Sequence, residues 1–149
     1  MKLTQFTDYS LRVLMYLAAQ PERRATIAEI ATTFAISESH LTKVVHFLAQ
    51  QGWLATIRGK GGGMSLAVPP AGIVIGQVVR ATEGPAVPAE CFGPHPDHCV
   101  IVDACRLKAA LQKAAQAFYA VLDEYTLADI TRNRNVLAQL LQLPPVRAA

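Results

Sequence analysis

Residues 26–68 carry the pattern that most restricts the fold, two short amphipathic helices followed by a glycine-rich β-hairpin. Thr26 and Glu29 have the spacing of a capping box, which favours a helix beginning there. Ser37 can cap a further helix after a short link. Two such helices joined by a tight turn are typical of a helix-turn-helix. In both, apolar residues recur at the spacing of one buried helical face: Ile27, Ile30, Ala31 and Phe34 in the first, and Leu41, Val44, Val45 and Leu48 in the second.

The hairpin is predicted by the stretch GWLATIRGKGGGMSLAVPP, in which short apolar runs flank a turn made mostly of glycine. A hairpin directly after a helix-turn-helix is the wing of a winged-helix domain, and wings often contact DNA phosphates or the minor groove. Arg58 and Lys60 give this turn positive charge, and its glycines let the backbone approach another surface closely. A nucleotide-binding P-loop is excluded, because no Gly-Lys-Ser/Thr follows at the required spacing.

Four further helices are predicted outside this region. Residues 5–20 form a helix of about four turns with Asp8 on the side away from its apolar face, and GIVIGQVVRATEG predicts a short helix packed on the winged-helix domain. A long helix from Arg106 carries a heptad seam that needs a partner, for which a second copy of the chain is the better candidate. Residues 126–143 are expected to fold back as a short helix and tail. The seam consists of Leu107, Leu111, Ala114, Phe118, Val121 and Tyr125.

These elements predict a mainly α-helical fold with a small β-hairpin, a winged helix-turn-helix domain plus a long dimerisation helix. We assign residues 1–84 to the winged helix-turn-helix DNA-binding domain, 85–105 to a loop that holds all three cysteines, and 106–149 to the dimerisation helix and C-terminal tail. The longest apolar runs are too short to span a membrane, and Asp8 and Arg12 interrupt any signal-peptide core. We therefore expect a cytoplasmic protein without membrane association.

The positive charge of the chain is concentrated in its first part. The first 60 residues hold seven Lys or Arg against four acids, whereas the remaining residues hold seven of each sign. This asymmetry indicates a basic module that binds an anion such as double-stranded promoter DNA. Short polar side chains near the start of the helix capped by Ser37 suit base edges and phosphates in a major groove. The predicted DNA-binding residues are Ser37, Ser39, His40 and Lys43 of that helix, with Arg58 and Lys60 of the wing.

The cysteines Cys91, Cys99 and Cys105 lie within a stretch of fifteen residues and are the only ones in the chain. In a reducing cytosol, clustered cysteines are metal ligands or redox groups more often than structural disulfides. Thiolates select iron–sulfur clusters, zinc or cuprous copper. The residues alone leave an iron–sulfur cluster and a structural zinc completed by His95 or His98 equally open. A Cys/His nucleophile is a weaker alternative, and a disulfide with one spare thiol is weaker still.

Motifs along nearly the whole chain resemble a known family. LTQFTDYSLRVLMYLA, SESHLTKVVHFLAQQGWL, RGKGGGMSLA and IGQVVRATEG occur in this order, followed by the three cysteines, ACRLK and YTLADI. This organisation resembles the dimeric winged-helix regulators that sense through an iron–sulfur cluster. Within this family, which also includes IscR-type regulators, the last two motifs indicate the NsrR-type nitric-oxide-sensing repressors.

The resemblance implies a cluster held by Cys91, Cys99 and Cys105, with Asp8 of the partner subunit as the fourth ligand. An IscR-type histidine is disfavoured, because Lys108 occupies its position. The implied cofactor is a [4Fe-4S] cluster, with [2Fe-2S] as the alternative. The implied protein is a homodimeric repressor whose DNA affinity falls when nitric oxide attacks this cluster.

Two other functions stay open at this point. The first is a sister regulator of the same fold that senses cluster supply or redox state, as IscR-type regulators do. The second is a zinc-stabilised DNA-binding regulator. An enzyme is not expected, because the sequence offers no paired carboxylates, catalytic triad or nucleotide-binding loop.

Overall fold

The computed structural model describes residues 2–59, 61–84, 89–93 and 99–143 of the 149-residue chain. Within these ranges the order of elements begins with three helices and the hairpin and ends with four helices. They are α1 (Gln5–Ala19), α2 (Ile27–Phe34), α3 (Glu38–Gln50), β1 (Leu54–Ile57), β2 (Gly63–Leu66), α4 (Ile75–Glu83), α5 (Arg106–Asp123), α6 (Leu127–Ile130) and α7 (Arg134–Leu140), with 3₁₀ turns at Pro70–Gly72, Glu90–Phe92 and Val102–Ala104. The predicted fold class is confirmed.

Side-chain caps define where the first helices begin. Thr4 caps α1 and Ser37 caps α3, each by accepting a hydrogen bond from a backbone N–H three residues on. The predicted capping box is present at α2, where the Thr26 hydroxyl accepts from the Glu29 backbone and the Glu29 carboxylate accepts in return. These bonds satisfy N–H groups that the helix itself leaves without acceptors.

Helix α1 lies at the centre of the fold and contacts α3, α4, α6, α7 and β2. The predicted apolar face is buried at Ser10, Val13, Leu14 and Leu17, and burial extends around the helix to Tyr16 and Ala18 because so many elements surround it. The predicted apolar faces of the helix-turn-helix also meet in this core. Its members there include Ile30, Ala31, Leu41, Val44, Val45 and Leu48.

The wing is anchored to the chain that precedes α2. Strands β1 and β2 pair antiparallel from Leu54 opposite Leu66 to Ile57 opposite Gly63. Met64 also exchanges two backbone hydrogen bonds with Ala25, at 3.0 and 2.7 Å. Gly63 has a positive φ of 148°, and a Cβ there would lie 2.9 Å from the Ala25 carbonyl oxygen. Only glycine therefore fits at this crossing.

The long helix α5 is joined to α4 at its C-terminal end. The Ile75 N–H donates to the Tyr125 carbonyl at 2.9 Å, and the Leu127 N–H donates to the Ile73 carbonyl at 2.8 Å. Gly76 allows the two helices to meet, since a Cβ there would lie 3.0 Å from the Asp123 backbone nitrogen and closer still to its side chain. Three seam residues remain strongly exposed: Leu107, Val121 and Tyr125.

The C-terminal part differs in detail from the expectation of one short helix and a tail. Two helices follow α5, because a second capping box, between Thr126 and Asp129, begins α6 before the chain turns and starts α7 at Arg134. Helix α7 folds back against α1. In the described ranges no helix is both long and apolar enough to cross a membrane.

Candidate functional site

Helix α3 exposes the polar face that the sequence assigns to DNA. Leu41 is fully buried beneath it, whereas Ser39, His40 and Lys43 are exposed. Ser37, also exposed, accepts a hydrogen bond from the His40 backbone at 3.4 Å and shares one with the Ser39 hydroxyl at 3.2 Å. Helix α3 therefore presents Ser39, His40 and Lys43 to the surface. Ser37 caps the helix and is itself exposed.

His40 also belongs to a contact between α3 and α1. Its ring lies 6.3 Å from that of Tyr9, and the rings of Phe6 and Phe47 meet edge to face at 5.3 Å. A cavity of about 200 Å³ beside these contacts is lined by Phe6, Tyr9 and His40 and partly by Lys43. The outer face of the helix-turn-helix is thus supported from below by the first turns of α1.

The wing carries a positive residue that the sequence-based prediction missed. Arg58 is exposed directly after β1, as predicted, whereas the predicted Lys60 lies outside the described residues. Arg24 reaches this turn from the opposite side, and its guanidinium donates to the Gly61 carbonyl at 3.5 Å. The backbone pairing of Ala25 with Met64 places Arg24 beside the wing turn. The positive charge of Arg24 therefore reaches the wing through a contact between segments that are distant in the sequence.

The cysteines lie in or beside the turns that are described in the segment joining α4 to α5. Cys91 lies in the Glu90–Phe92 turn, Cys99 precedes the Val102–Ala104 turn, and Cys105 is the N-cap residue of α5. All three are free thiols and partly buried. Among the residues described, no three His, Cys, Asp or Glu side chains are close enough to hold a metal ion. The fold therefore places the thiols on one segment without gathering them, and His95 and His98 lie outside the described residues.

Asp8 lies on the accessible side of α1, in its first turn. Its carboxylate pairs with the Arg12 guanidinium one turn on, at 2.8 Å, and both side chains are 44% exposed. The Arg12 Nε–H also donates to the other carboxylate oxygen at 3.1 Å, so the pair is bidentate, but it lies within one helix and is open to water. Water can replace either bond, so Asp8 can exchange its partner at small cost. The carboxylate is not grouped with the cysteines of its own chain, and the predicted ligand role across a dimer stays a prediction.

A hydrogen-bond network of hydroxyl groups around the buried Thr7 ties the same turn to the end of α4. One carboxylate oxygen of Glu83 accepts from the Thr4 backbone at 2.8 Å, from the Thr4 hydroxyl at 3.1 Å and from the Thr7 hydroxyl. Thr7 is fully buried, and its hydroxyl also lies within hydrogen-bond distance of the Thr82 hydroxyl, at 2.9 Å. Burial alone would raise the pKa of Glu83, but the hydrogen bonds from Thr7 and Thr4 outweigh it and hold the pKa below its ordinary value.

Comparison with known proteins assigns this architecture to a family. The sequence model of Rrf2, described as an iron-dependent transcriptional regulator, matches residues 3–133. The chain belongs to the Rrf2 family.

Rrf2 relatives match nearly the whole chain. The HTH-type transcriptional regulator NsrR of Geobacillus kaustophilus (strain HTA426) is 50% identical over 95% of this chain and 97% of its own length. The NsrR of Bacillus subtilis (strain 168) is 48% identical over 96% of this chain and 99% of its own length. Among solved structures, T. potens IscR superposes with a TM-score of 0.71 at 25% identity, covering 89% of this chain and 88% of its own. Staphylococcus aureus CymR has a TM-score of 0.68 at 26% identity, covering 85% and 95%.

The Rrf2 assignment confirms the resemblance drawn from the sequence motifs. The chain is a DNA-binding transcriptional regulator with a winged-helix fold, and its relatives are named as regulators rather than enzymes. The family description also makes iron the expected metal. Three thiols on one segment suit iron–sulfur chemistry, since thiolate sulfur is the usual ligand of such clusters.

Proposed function

We propose that this regulator is a homodimeric repressor that senses nitric oxide through an iron–sulfur cluster. Cys91, Cys99 and Cys105 would hold the cluster, and Asp8 of the partner subunit would supply the fourth ligand. The observation that carries the proposal is the placement of three free thiols between the winged-helix domain and α5 in a chain 50% identical to a protein named NsrR.

The nature of the four donors supports a labile site. Three soft sulfurs suit the iron of a cluster, whereas a carboxylate oxygen is a hard ligand and forms the weakest of the four bonds. Asp8 is accessible, and its other partner, Arg12, is available one turn away. The missing ligand thus lies on an exchangeable side chain, as a sensing site requires. We assign [4Fe-4S] as the cluster type, with [2Fe-2S] as the alternative.

The chain itself supplies the link from this site to DNA. A bound cluster provides iron to which nitric oxide binds strongly. When Asp8 loses its bond to the partner's site, α1 is released from the second subunit. Because α1 packs directly beneath α3, a change in its position alters the spacing of the two DNA-binding faces of the dimer. DNA affinity then falls.

The exposed seam of α5 supports the dimer. Leu107 and Val121 are 64 and 53% exposed in the single chain and lie at heptad spacing on the 18-residue α5. Tyr125, 46% exposed, was predicted to end the seam on this helix but lies two residues beyond the end of α5. An apolar seam of this kind is stable when a second helix covers it. A two-fold dimer also matches paired half-sites in DNA.

Anaerobic purification followed by a visible absorption spectrum and a nitric oxide titration tests the proposal. We expect a coloured protein whose absorbance and binding to promoter DNA, measured by gel mobility, decline together as nitric oxide is added. A colourless protein that contains zinc would contradict the cluster. A coloured protein whose DNA binding ignores nitric oxide but follows cluster supply would identify an IscR-like regulator.

Variants test the ligands individually. Alanine at Cys91, Cys99 or Cys105 should abolish the visible absorbance, and Asp8→Ala should change the spectrum and the response to nitric oxide. Asp103→Ala is the matched control, because Asp103 is an exposed carboxylate within the cysteine segment itself. If Asp8→Ala behaved as Asp103→Ala does, with the spectrum and response of the parent, the cross-subunit ligand would be wrong.

A further inference from the structure

We propose that Tyr9 is the positioning residue that transmits the state of Asp8 to the DNA-binding helix, through the contact of its ring with His40. The inference rests on the proposed function and assigns the regulation of that site to a specific contact. Tyr9 follows Asp8 directly in α1, and His40 lies in the first turn of α3.

The contact lies directly between the turn of α1 that carries Asp8 and the predicted DNA-binding face of α3. Tyr9 is partly buried, and its ring lies 6.3 Å from the imidazole of His40 at a tilt of 34°. A movement of the Asp8 backbone moves Tyr9 with it, because both belong to one helical turn. A shift of that ring changes its contact with His40, and through this contact it changes the position of the start of α3.

The packing around this contact allows α3 to move at one end. Leu41 and Leu48 are fully buried and fix the inner face of α3 in the core. On the side of Tyr9, by contrast, the cavity of about 200 Å³ beside His40 leaves space into which the side chains can shift. Close-packed interiors resist such movement, whereas a contact beside a cavity can take up a second arrangement. The N-terminal end of α3 is therefore the part of this helix that moves when Tyr9 shifts.

The opposite side of the same α1 turn is held firmly. Glu83 accepts hydrogen bonds from Thr4 and Thr7, which lie just before Asp8, and Thr7 is fully buried. This network fixes the beginning of α1 to the end of α4, from which the cysteine segment continues. A force on the Asp8 side chain therefore tilts this turn of α1 about its attachment to Glu83, and the tilt moves Tyr9.

The test compares DNA affinity with and without the cluster in the full-length protein. The measured quantity is the ratio of the two dissociation constants, in the parent, in Tyr9→Leu and in Tyr9→Phe. Tyr9→Leu removes the ring but keeps apolar bulk, and Tyr9→Phe is the matched control that keeps the ring. The visible spectrum and the thermal unfolding midpoint verify that each variant is folded and loaded.

Tyr9→Leu should reduce the ratio by about threefold to tenfold, the worth of one ring–ring contact, while Tyr9→Phe retains the parent ratio. A purely structural role would weaken DNA binding by the same factor in both states and leave the ratio unchanged, so an unchanged ratio in Tyr9→Leu overturns the inference. An Asp8→Ala, Tyr9→Leu double variant should then show no further loss beyond Asp8→Ala, and additive losses would also overturn it. A parent ratio of one would instead refute the proposed function itself.

Discussion

Arg80 donates to both carboxylate oxygens of Asp123, at 2.6 Å each, and so joins α4 to the last residue of α5 at two points. The guanidinium also lies over the Tyr119 ring, 4.6 Å from its centroid. The hydrogen bonds from Arg80 hold the pKa of Asp123 below its ordinary value. A bidentate pair fixes orientation as well as distance, so the rotation of α5 on the winged-helix domain is set here.

The close approach beside this pair predicts that Gly76→Ala destabilises the protein. Alanine is preferred to glycine within a helix by about 1 kcal/mol, but overpacking against Asp123 costs about 1–3 kcal/mol. We expect the free energy of unfolding, measured with urea, to fall by about 1 kcal/mol. Gly72→Ala is the control, because a Cβ at Gly72 meets open space. Equal stability of the two variants would show that α4 and α5 do not meet as closely as described.

The carboxylate that begins α6 predicts a specific acid sensitivity. Hydrogen bonds from the Thr126 side chain and backbone, and then from Arg132, lower the pKa of Asp129 from 3.8 to about 2. A group with a depressed folded pKa stabilises the fold above its unfolded pKa and loses that effect as the pH falls through the folded value. Asp129→Asn should therefore have a lower urea midpoint than the parent at pH 7, and the gap should close between about pH 4 and pH 2.

This experiment is made on the metal-free protein, so that acid release of iron does not contribute. Asp103→Asn, which changes an exposed carboxylate, should show no gap at either pH. A gap for Asp129→Asn that is as large at pH 2 as at pH 7 would mean that the charge of Asp129 is not what stabilises the start of α6.

The buried hydroxyl of Thr7 predicts a loss of stability in Thr7→Val. Valine has nearly the same shape but cannot donate to Glu83 or bond to Thr82. Hydrogen bonds to charged groups contribute about 1.5–3 kcal/mol, and the partial exposure of Glu83 places the expected loss near the lower value. Thermal and urea unfolding measure it. Thr32→Val, on the exposed face of α2, should change stability by less than about 0.5 kcal/mol; a similar loss there would refute a special role for Thr7.

The exposed wing predicts a change in the salt dependence of DNA binding. If Arg58 contacts a phosphate, Arg58→Ala should reduce the slope of log K against log salt by about one unit for each subunit that binds. Binding to promoter DNA at four or more salt concentrations measures this slope. Arg132→Ala is the control, because it removes an exposed guanidinium that lies outside the wing, in the turn after α6, and is 81% exposed. An unchanged slope for Arg58→Ala would exclude its phosphate contact.

Local signals in the sequence were sufficient to predict the wing and the helices α1 to α5, whereas the two helices α6 and α7 were predicted as one. The capping box of Thr26 and the cap at Ser37 depend on residues three positions apart, and the burial of Leu41 follows from helical spacing. Such signals do not require knowledge of the rest of the fold.

Contacts between distant segments could not be predicted in this way. Nothing near Arg24 in the sequence indicates that it reaches the wing turn, and nothing near Gly76 indicates that Asp123 will lie against it. The cysteines were recognisable as a group in the sequence, but among the described residues the fold of the single chain does not bring their thiols together. Tertiary packing of this kind overrides or adds to local preference.

Because Arg80 holds α5 at Asp123, a small change of angle at this end of the helix gives a large displacement at its other end. The helix has Cys105 as its N-cap and Asp123 as its last residue, and its 18 residues extend over about 27 Å. A tilt of about 10° at the Asp123 end displaces the Cys105 end by roughly 5 Å. If Cys105 is displaced, the angular stiffness of the Arg80–Asp123 contact determines how much of that displacement becomes a rotation of the winged-helix domain relative to α5.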